Sequence, residues 1–262
     1  MKNKKENLHD LKMILALSIV CPIGFCAGFL GARGAEKVIS NINEQVERQK
    51  YGDMYDLMLK DSFGKTLTLE NFKEPITVRI AENFSDNEKK QLVSAIDALD
   101  EISPNLNYKL LDDENYTITA NINVVKSENL VNEAALAATH LDNNLMAKIV
   151  YPITIDIKKS FSDYYAKIDQ SSDDLLCHVM KHEMMHTLGF ADLYDQKHFD
   201  KSIMWYSTEN THVVKDYTER DKACINKLYD DMLVSVQHPS KMCFTVENTP
   251  IYKHQNDELE LI

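Results

Sequence analysis

His182-Glu183-Met184-Met185-His186-Thr187-Leu188-Gly189-Phe190-Ala191-Asp192 is the stretch on which the reading of this chain turns. Residues four apart share one face of a helix, so His182 and His186 offer two imidazoles to a single metal ion, with Glu183 beside them. A helical pair supplies two ligands without loop entropy. The intervening carboxylate can take the proton of a water at the metal. Gly189 follows three residues later, and after residue 35 the only glycines are Gly52, Gly64 and Gly189. A left-handed glycine reverses the chain after a helix, which lets the next segment return a third ligand. Asp192 is the candidate for it, with His198 and Asp195 as alternatives. The chance of finding the pentapeptide, the glycine and an Asp or His at these offsets is on the order of 10⁻⁴.

The flanks extend the pattern. Upstream, Ser171 or Ser172 opens the helix as N-cap, with Asp173 and Asp174 favourable to its dipole, and Leu175, Leu176, Val179, Met180 and Leu188 complete it. Before it the spacing predicts a strand over 75–80, then a helix capped by Ser85 and Glu88 with Leu92, Ile96 and Leu99 inward and Pro104 closing it. Strands follow over 108–111, 116–125, 135–141 and 148–157. Downstream lie Ser202-Ile203-Met204-Trp205-Tyr206 and Tyr217-Thr218-Glu219-Arg220-Asp221, then Ile225 and Leu228-Tyr229.

Together these residues resemble the metzincin metallopeptidases, whose long zinc signature is matched from His182 to Asp192 with aspartate in place of the usual third histidine. Ser202 to Tyr206 is similar to the methionine turn that lies beneath the metal in that clan. Tyr217 to Tyr229 is similar to the closing helix of matrixins and serralysins. The likeness spans roughly 74–230 and is strongest over 178–229. It implies an α+β fold: a metzincin-like catalytic domain with a twisted, mostly parallel sheet, an antiparallel edge strand, an active-site helix and a C-terminal helix. It also implies zinc on His182, His186 and Asp192, Glu183 as general base, Tyr206 steadying the oxyanion, and the 135–141 strand pairing with an extended substrate. His178, one turn before His182, is read as structural.

The amino-terminal side fixes an expected location. Met13 to Ala32 is a run of 20 uncharged residues, long enough to cross a hydrocarbon core about 30 Å thick. Lys2, Lys4, Lys5 and Lys12 precede it, which predicts a cytoplasmic tip and anchor over 1–35 with the body outside. A cleaved signal, giving a secreted body, is the alternative. Val38, Ile42 and Val46 mark 36–72 as a stalk or short pro-segment. The peptidase domain is expected over 73–232, with a polar tail over 233–262.

With 262 residues, 44% hydrophobic and 27% charged, the chain has one globular core rather than a disordered or fibrous composition. Residues 1–37 hold six Lys and Arg against three Asp and Glu, a balance of +3, so −12 overall leaves −15 for the rest. A body so acidic repels phosphate backbones, which excludes nucleic acid as the expected partner. The acidity admits Ca2+ as well as Zn2+, but no residue set locates a calcium site. Cys177, Cys224 and Cys243 allow at most one bridge in the body and read as small buried hydrophobes.

The expected function is a membrane-anchored zinc endopeptidase acting on protein or peptide substrates outside the cytoplasm. Two rivals stand beside it: a catalytically silent surface binding module on the same scaffold, and a thermolysin-like site with Glu219 as third ligand.

Overall fold

A computed structural model describes residues 34–69, 74–103, 105–111, 119–128, 130, 135–160, 175–198, 200–205, 214, 216–237 and 258–261. The expected membrane run 13–32 lies outside them. Among the described residues no helix is long and apolar enough to cross a membrane.

The fold is α+β, with a mostly parallel sheet and four helices. Helix α1 covers 34–51 and leads into a 3-10 turn, Gly52–Leu57. Strand β1 (Thr68–Leu69) and β2 (Ile76–Ile80) follow, then α2 (Asp86–Ile102), β3 (Tyr108–Leu110), β4 (Ile122–Ser127), β5 (Ala137–Asn143) and β6 (Lys148–Lys158). Helix α3 is Leu175–Thr187, α4 is Glu219–Gln237, and β7 is Glu258–Leu261.

The sheet order is β3-β2-β4-β6-β5-β7, with β1 also on β6. Strands β2, β3, β4 and β6 are mutually parallel, while β5 runs antiparallel to β6 and β7 antiparallel to β5. The edge of β6 is shared, β4 pairing along Ile153–Lys158 and β1 at Lys148 and Ile149. Expected strand positions agree with those observed to within two residues, except that β4 begins at Ile122 rather than 116. The 135–141 strand is antiparallel as expected but is not outermost, because β7 lies beyond it.

Alternation explains the inner face. In β2, Ile76, Val78 and Ile80 are buried, and Ile153, Ile155 and Ile157 repeat the pattern in β6. Helix α2 starts in a complete capping box: the Ser85 hydroxyl accepts from the Glu88 N–H, and the Ser85 N–H donates to Glu88 Oε2 at 2.7 Å. It buries Leu92, Ala95, Ile96 and Leu99 against α3, and each fully buried leucine contributes roughly 1.5–3 kcal/mol relative to exposure. Helix α3 packs between α2 and strands β5 and β6, and every residue in it except Cys177 is buried. That burial takes in six polar side chains, His178, Lys181, His182, Glu183, His186 and Thr187, so each must find a partner inside the body.

The tract 36–72 contributes to this body. Helix α1 docks through residues at helical spacing: Ile39 packs on the core, Asn43 Nδ2 donates to the Phe63 carbonyl, and Glu47 accepts from the Thr66 N–H. Val38 and Val46 face solvent. Tyr51, Met54, Tyr55, Leu57, Met58, Phe63, Leu67 and Leu69 belong to the main core. The packed body therefore begins well before residue 73. At the other end, α4 runs on to Gln237.

Candidate metal centre

Helix α3 ends as the sequence predicts. Gly189 has φ +92°, its N–H donates to the His186 carbonyl, and the Phe190 N–H donates to the Met185 carbonyl. These two bonds form a Schellman cap, which needs a left-handed residue where Gly189 stands. A second demand falls on the same residue: a β-carbon there would lie 2.2 Å from the Leu67 carbonyl oxygen. The chain leaving the cap is held from both sides. Leu59 N–H donates to the Gly189 carbonyl and Ala191 N–H to Leu57, while Leu193 N–H donates to Met204. Asp192 is thereby set between two backbone anchors.

His182, His186 and Asp192 are the one His/Cys/Asp/Glu group among the described residues whose ligand atoms converge, all within 4.8 Å of one another. His182 Nε2 lies 3.2 Å and His186 Nε2 3.7 Å from Asp192 Oδ1. The rings stand edge to face, with centroids 4.9 Å apart. His182 Nδ1 donates to the Ile203 carbonyl at 2.9 Å and His186 Nδ1 to the Phe190 carbonyl at 2.7 Å. Because a carbonyl only accepts, each Nδ1 carries the hydrogen and each neutral ring turns an Nε2 lone pair inward. Both Nε2 atoms, Asp192 Oδ1 and Glu183 Oε1 are buried without an aligned hydrogen-bond partner. Orphaned acceptors of this kind are what a cation satisfies. Two imidazoles and one carboxylate fit a zinc ion with an open fourth position, whose ligand atoms sit about 3.3 Å apart.

The electrostatics follow from burial. His186 is pushed down to about 4, first by desolvation. Burial pulls His182 the same way, but the Asp192 carboxylate outweighs it, helped by Glu183 and the Ile203 carbonyl, so His182 is raised. Glu183 is pushed up to about 7 by desolvation, against the opposing pull of His182 and Thr139. The Thr139 hydroxyl donates to Glu183 Oε2 at 2.5 Å.

Residues 202–205 form a turn. Trp205 N–H donates to the Ser202 carbonyl, Met204 is buried, and Ile203 supplies the carbonyl that orients His182. Buried Asp221 holds it, accepting from the Ser202 hydroxyl at 2.5 Å and the Ile203 N–H at 2.9 Å. Asp221 also accepts from the Thr218 N–H, while its own N–H donates to the Thr218 hydroxyl, capping α4. Tyr229 donates to the Leu188 carbonyl and Tyr217 to the Lys181 carbonyl, so α4 and the segment before it brace α3.

The alternatives lie elsewhere. His198 accepts from Arg220 through Nδ1 at 2.8 Å, Asp195 pairs with Lys197, and exposed Glu219 pairs with Lys222. His178 is buried outside the cluster. Cys177 and Cys224 are free thiols, the second buried, and Cys243 lies outside the described residues. So do Tyr206, the N-cap candidates Ser171 and Ser172, and Asp173 and Asp174 after them.

Two residues that support this centre were not singled out from the sequence: Thr139, which bonds Glu183, and Asp221, which holds the turn carrying the Ile203 carbonyl. Thr139 sits two residues after Ala137 on one face of β5, but β5 buries Ala137, Ala138 and Thr139 alike, so no alternation marks it. For Asp221 the signal was its place three residues after Thr218 at a helix start. No protein-family model and no curated protein matches the chain.

Proposed function

We propose that this chain is a zinc-dependent endopeptidase with a metzincin-like catalytic domain, held at the cell surface by residues 13–32 and acting on extracytoplasmic proteins or peptides. One observation carries the reading. Two Nε2 lone pairs and the Asp192 carboxylate converge in a buried cluster, with both Nδ1 atoms committed to carbonyls and Glu183 one residue from the first histidine.

His182, His186 and Asp192 are the residues that would hold zinc. Zinc bound there supplies Lewis acidity, which makes a water nucleophilic near neutral pH and polarises a carbonyl. Glu183 accepts the proton of the attacking water and returns it to the leaving amine. Burial beside the two histidines sets Glu183 in a water-poor position where it can exchange a proton with a bound water. Thr139 orients that carboxylate through Oε2, leaving Oε1 for the water. Tyr206, two residues beyond Met204, is assigned to the developing oxyanion. The substrate lies extended along β5, whose Thr139 stands at the general base.

Residues 34–262 purified with zinc and tested on casein, with Glu183→Gln as control, decide the matter. One zinc per chain in both proteins, with turnover reduced by at least about 10²-fold in the variant, is the expected result. Undiminished cleavage by Glu183→Gln would refute the role of Glu183. Zinc without cleavage in the wild type would favour the silent binding module.

A further inference from the structure

We propose that Glu258–Leu261 is a self-bound strand occupying the peptide-docking edge of β5, so that an external extended peptide enters only by displacing it. This rests on the reading of β5 as the substrate edge of a peptidase. Strand β5 has two edges. One carries β6, and the other carries β7 in antiparallel register, with Ala137 opposite Leu261, Ala138 opposite Glu260, Thr139 opposite Leu259 and His140 opposite Glu258. The Thr139 hydroxyl meets Glu183, so the tail crosses the candidate site with position 259 in register with the partner of the general base.

The sequence accounts for the occupant. Glu258-Leu259-Glu260-Leu261 alternates with period two, the pattern of a strand with unlike faces, and an open strand edge recruits such a segment through its unpaired N–H and C=O groups. Main-chain pairing of this kind accepts many sequences. Two features make the tail displaceable. Among the described residues it is four residues long and its one ladder is to β5. Roughly 20 residues separate Gln237 from Glu258, so chain length alone keeps the strand within about 70 Å of its edge, a local concentration of about 1 mM or more. With the tail's own segment binding the open edge at about 100 μM, a competing external peptide is weakened about tenfold. Cleavage is held low at dilute substrate and rises when extended chains are concentrated near the site.

The test keeps the full described body and its tail. Alternate residues turn their N–H groups toward a ladder, so Leu259→Pro with Glu260→Pro removes a donor whichever of the two faces β5. Leu259→Ala with Glu260→Ala keeps both donors and serves as control. Two readouts need no peptidase activity: hydrogen exchange of the 136–143 segment, and anisotropy of a labelled synthetic peptide of residues 255–262. The proline pair is expected to exchange faster over 136–143 and to bind the labelled peptide about tenfold more tightly than the wild type, with the alanine pair near the wild type. Equal exchange and equal peptide affinity in wild type and proline pair would overturn the proposal. Casein cleavage, run in parallel, separates the two readings: if no chain cleaves casein while both binding readouts respond, the tail assignment stands and the peptidase reading falls.

Discussion

The hydroxyl of Thr139 meets the carboxylate of Glu183 at 2.5 Å, across the contact between β5 and α3. The strand that would align a peptide thus also aims the base that would serve its hydrolysis. A hydrogen bond to an ionised acceptor contributes about 1.5–3 kcal/mol, so Thr139→Val should lower kcat about tenfold or more. The bond also lowers the Glu183 pKa, and its loss should move the acidic limb of the pH–rate profile upward. Thr139→Ser should restore both. An unchanged profile in Thr139→Val would show that the hydroxyl does not tune Glu183.

Gly189→Ala tests the cap after α3. The substitution places a β-carbon against the Leu67 carbonyl at φ +92°, so the backbone has to move. A loss of about 3 kcal/mol or more is expected from strain and clash together, read as a lower urea midpoint. Zinc affinity should fall with it, since the same turn delivers Asp192. A variant of wild-type stability would mean that the turn can re-form without a left-handed residue.

The buried carboxyl gives a pH signature in chelator-treated protein. Between pH 4.5 and about 7 the folded chain binds the Glu183 proton and the unfolded chain does not, so this group makes stability fall as pH rises. His186, held down to about 4, acts oppositely: the unfolded chain binds its proton up to 6.5, so stability rises with pH over that range. Glu183→Gln removes the first effect and leaves that of His186, while also taking away one of the smaller contributions that raise His182. Relative to wild type, the variant should gain up to about 3 kcal/mol of stability between pH 4.5 and 7, measured by urea unfolding. A difference that stays constant with pH would contradict the elevated carboxyl.

Zinc titration against a chromophoric chelator tests the third ligand. Asp192→Ala should weaken binding more than about a hundredfold, whereas His198→Ala and Glu219→Ala should stay near the wild type. Glu219 is on the surface with Lys222, and His198 is committed to Arg220. Loss of zinc in either of these, with retention in Asp192→Ala, would reassign the site.

The legible part of this centre is the part set by local geometry. His182 and His186 sit one helical turn apart, and Gly189 is forced by the cap, so both follow from spacing alone. The strands β2 and β6 were readable because each alternates against a single buried face, whereas β5 buries three successive residues, Ala137, Ala138 and Thr139. What escaped depends on partners distant in sequence. Met54, Tyr55, Leu57 and Met58 lie in a 3-10 turn and short bridges, where no period marks the buried side. Asp221 is one of many acidic residues, and only its burial beside Ser202 and Ile203 distinguishes it. Glu258 to Leu261 was taken with a polar tail because half of its residues are charged, though the other half are leucine.

The pairing of Leu57 and Leu59 with Ala191 and Gly189 also bears on processing of the chain. Residues 130 or more positions apart are paired at the very turn that carries Asp192, so the amino-terminal tract acts as a clasp on the proposed third ligand. A protease that released the body from a membrane could cut ahead of α1 and leave the clasp closed. A cut beyond residue 59 would remove it and leave the turn that carries Asp192 without its partner segment, so deeper trimming is expected to loosen the proposed metal site rather than complete it.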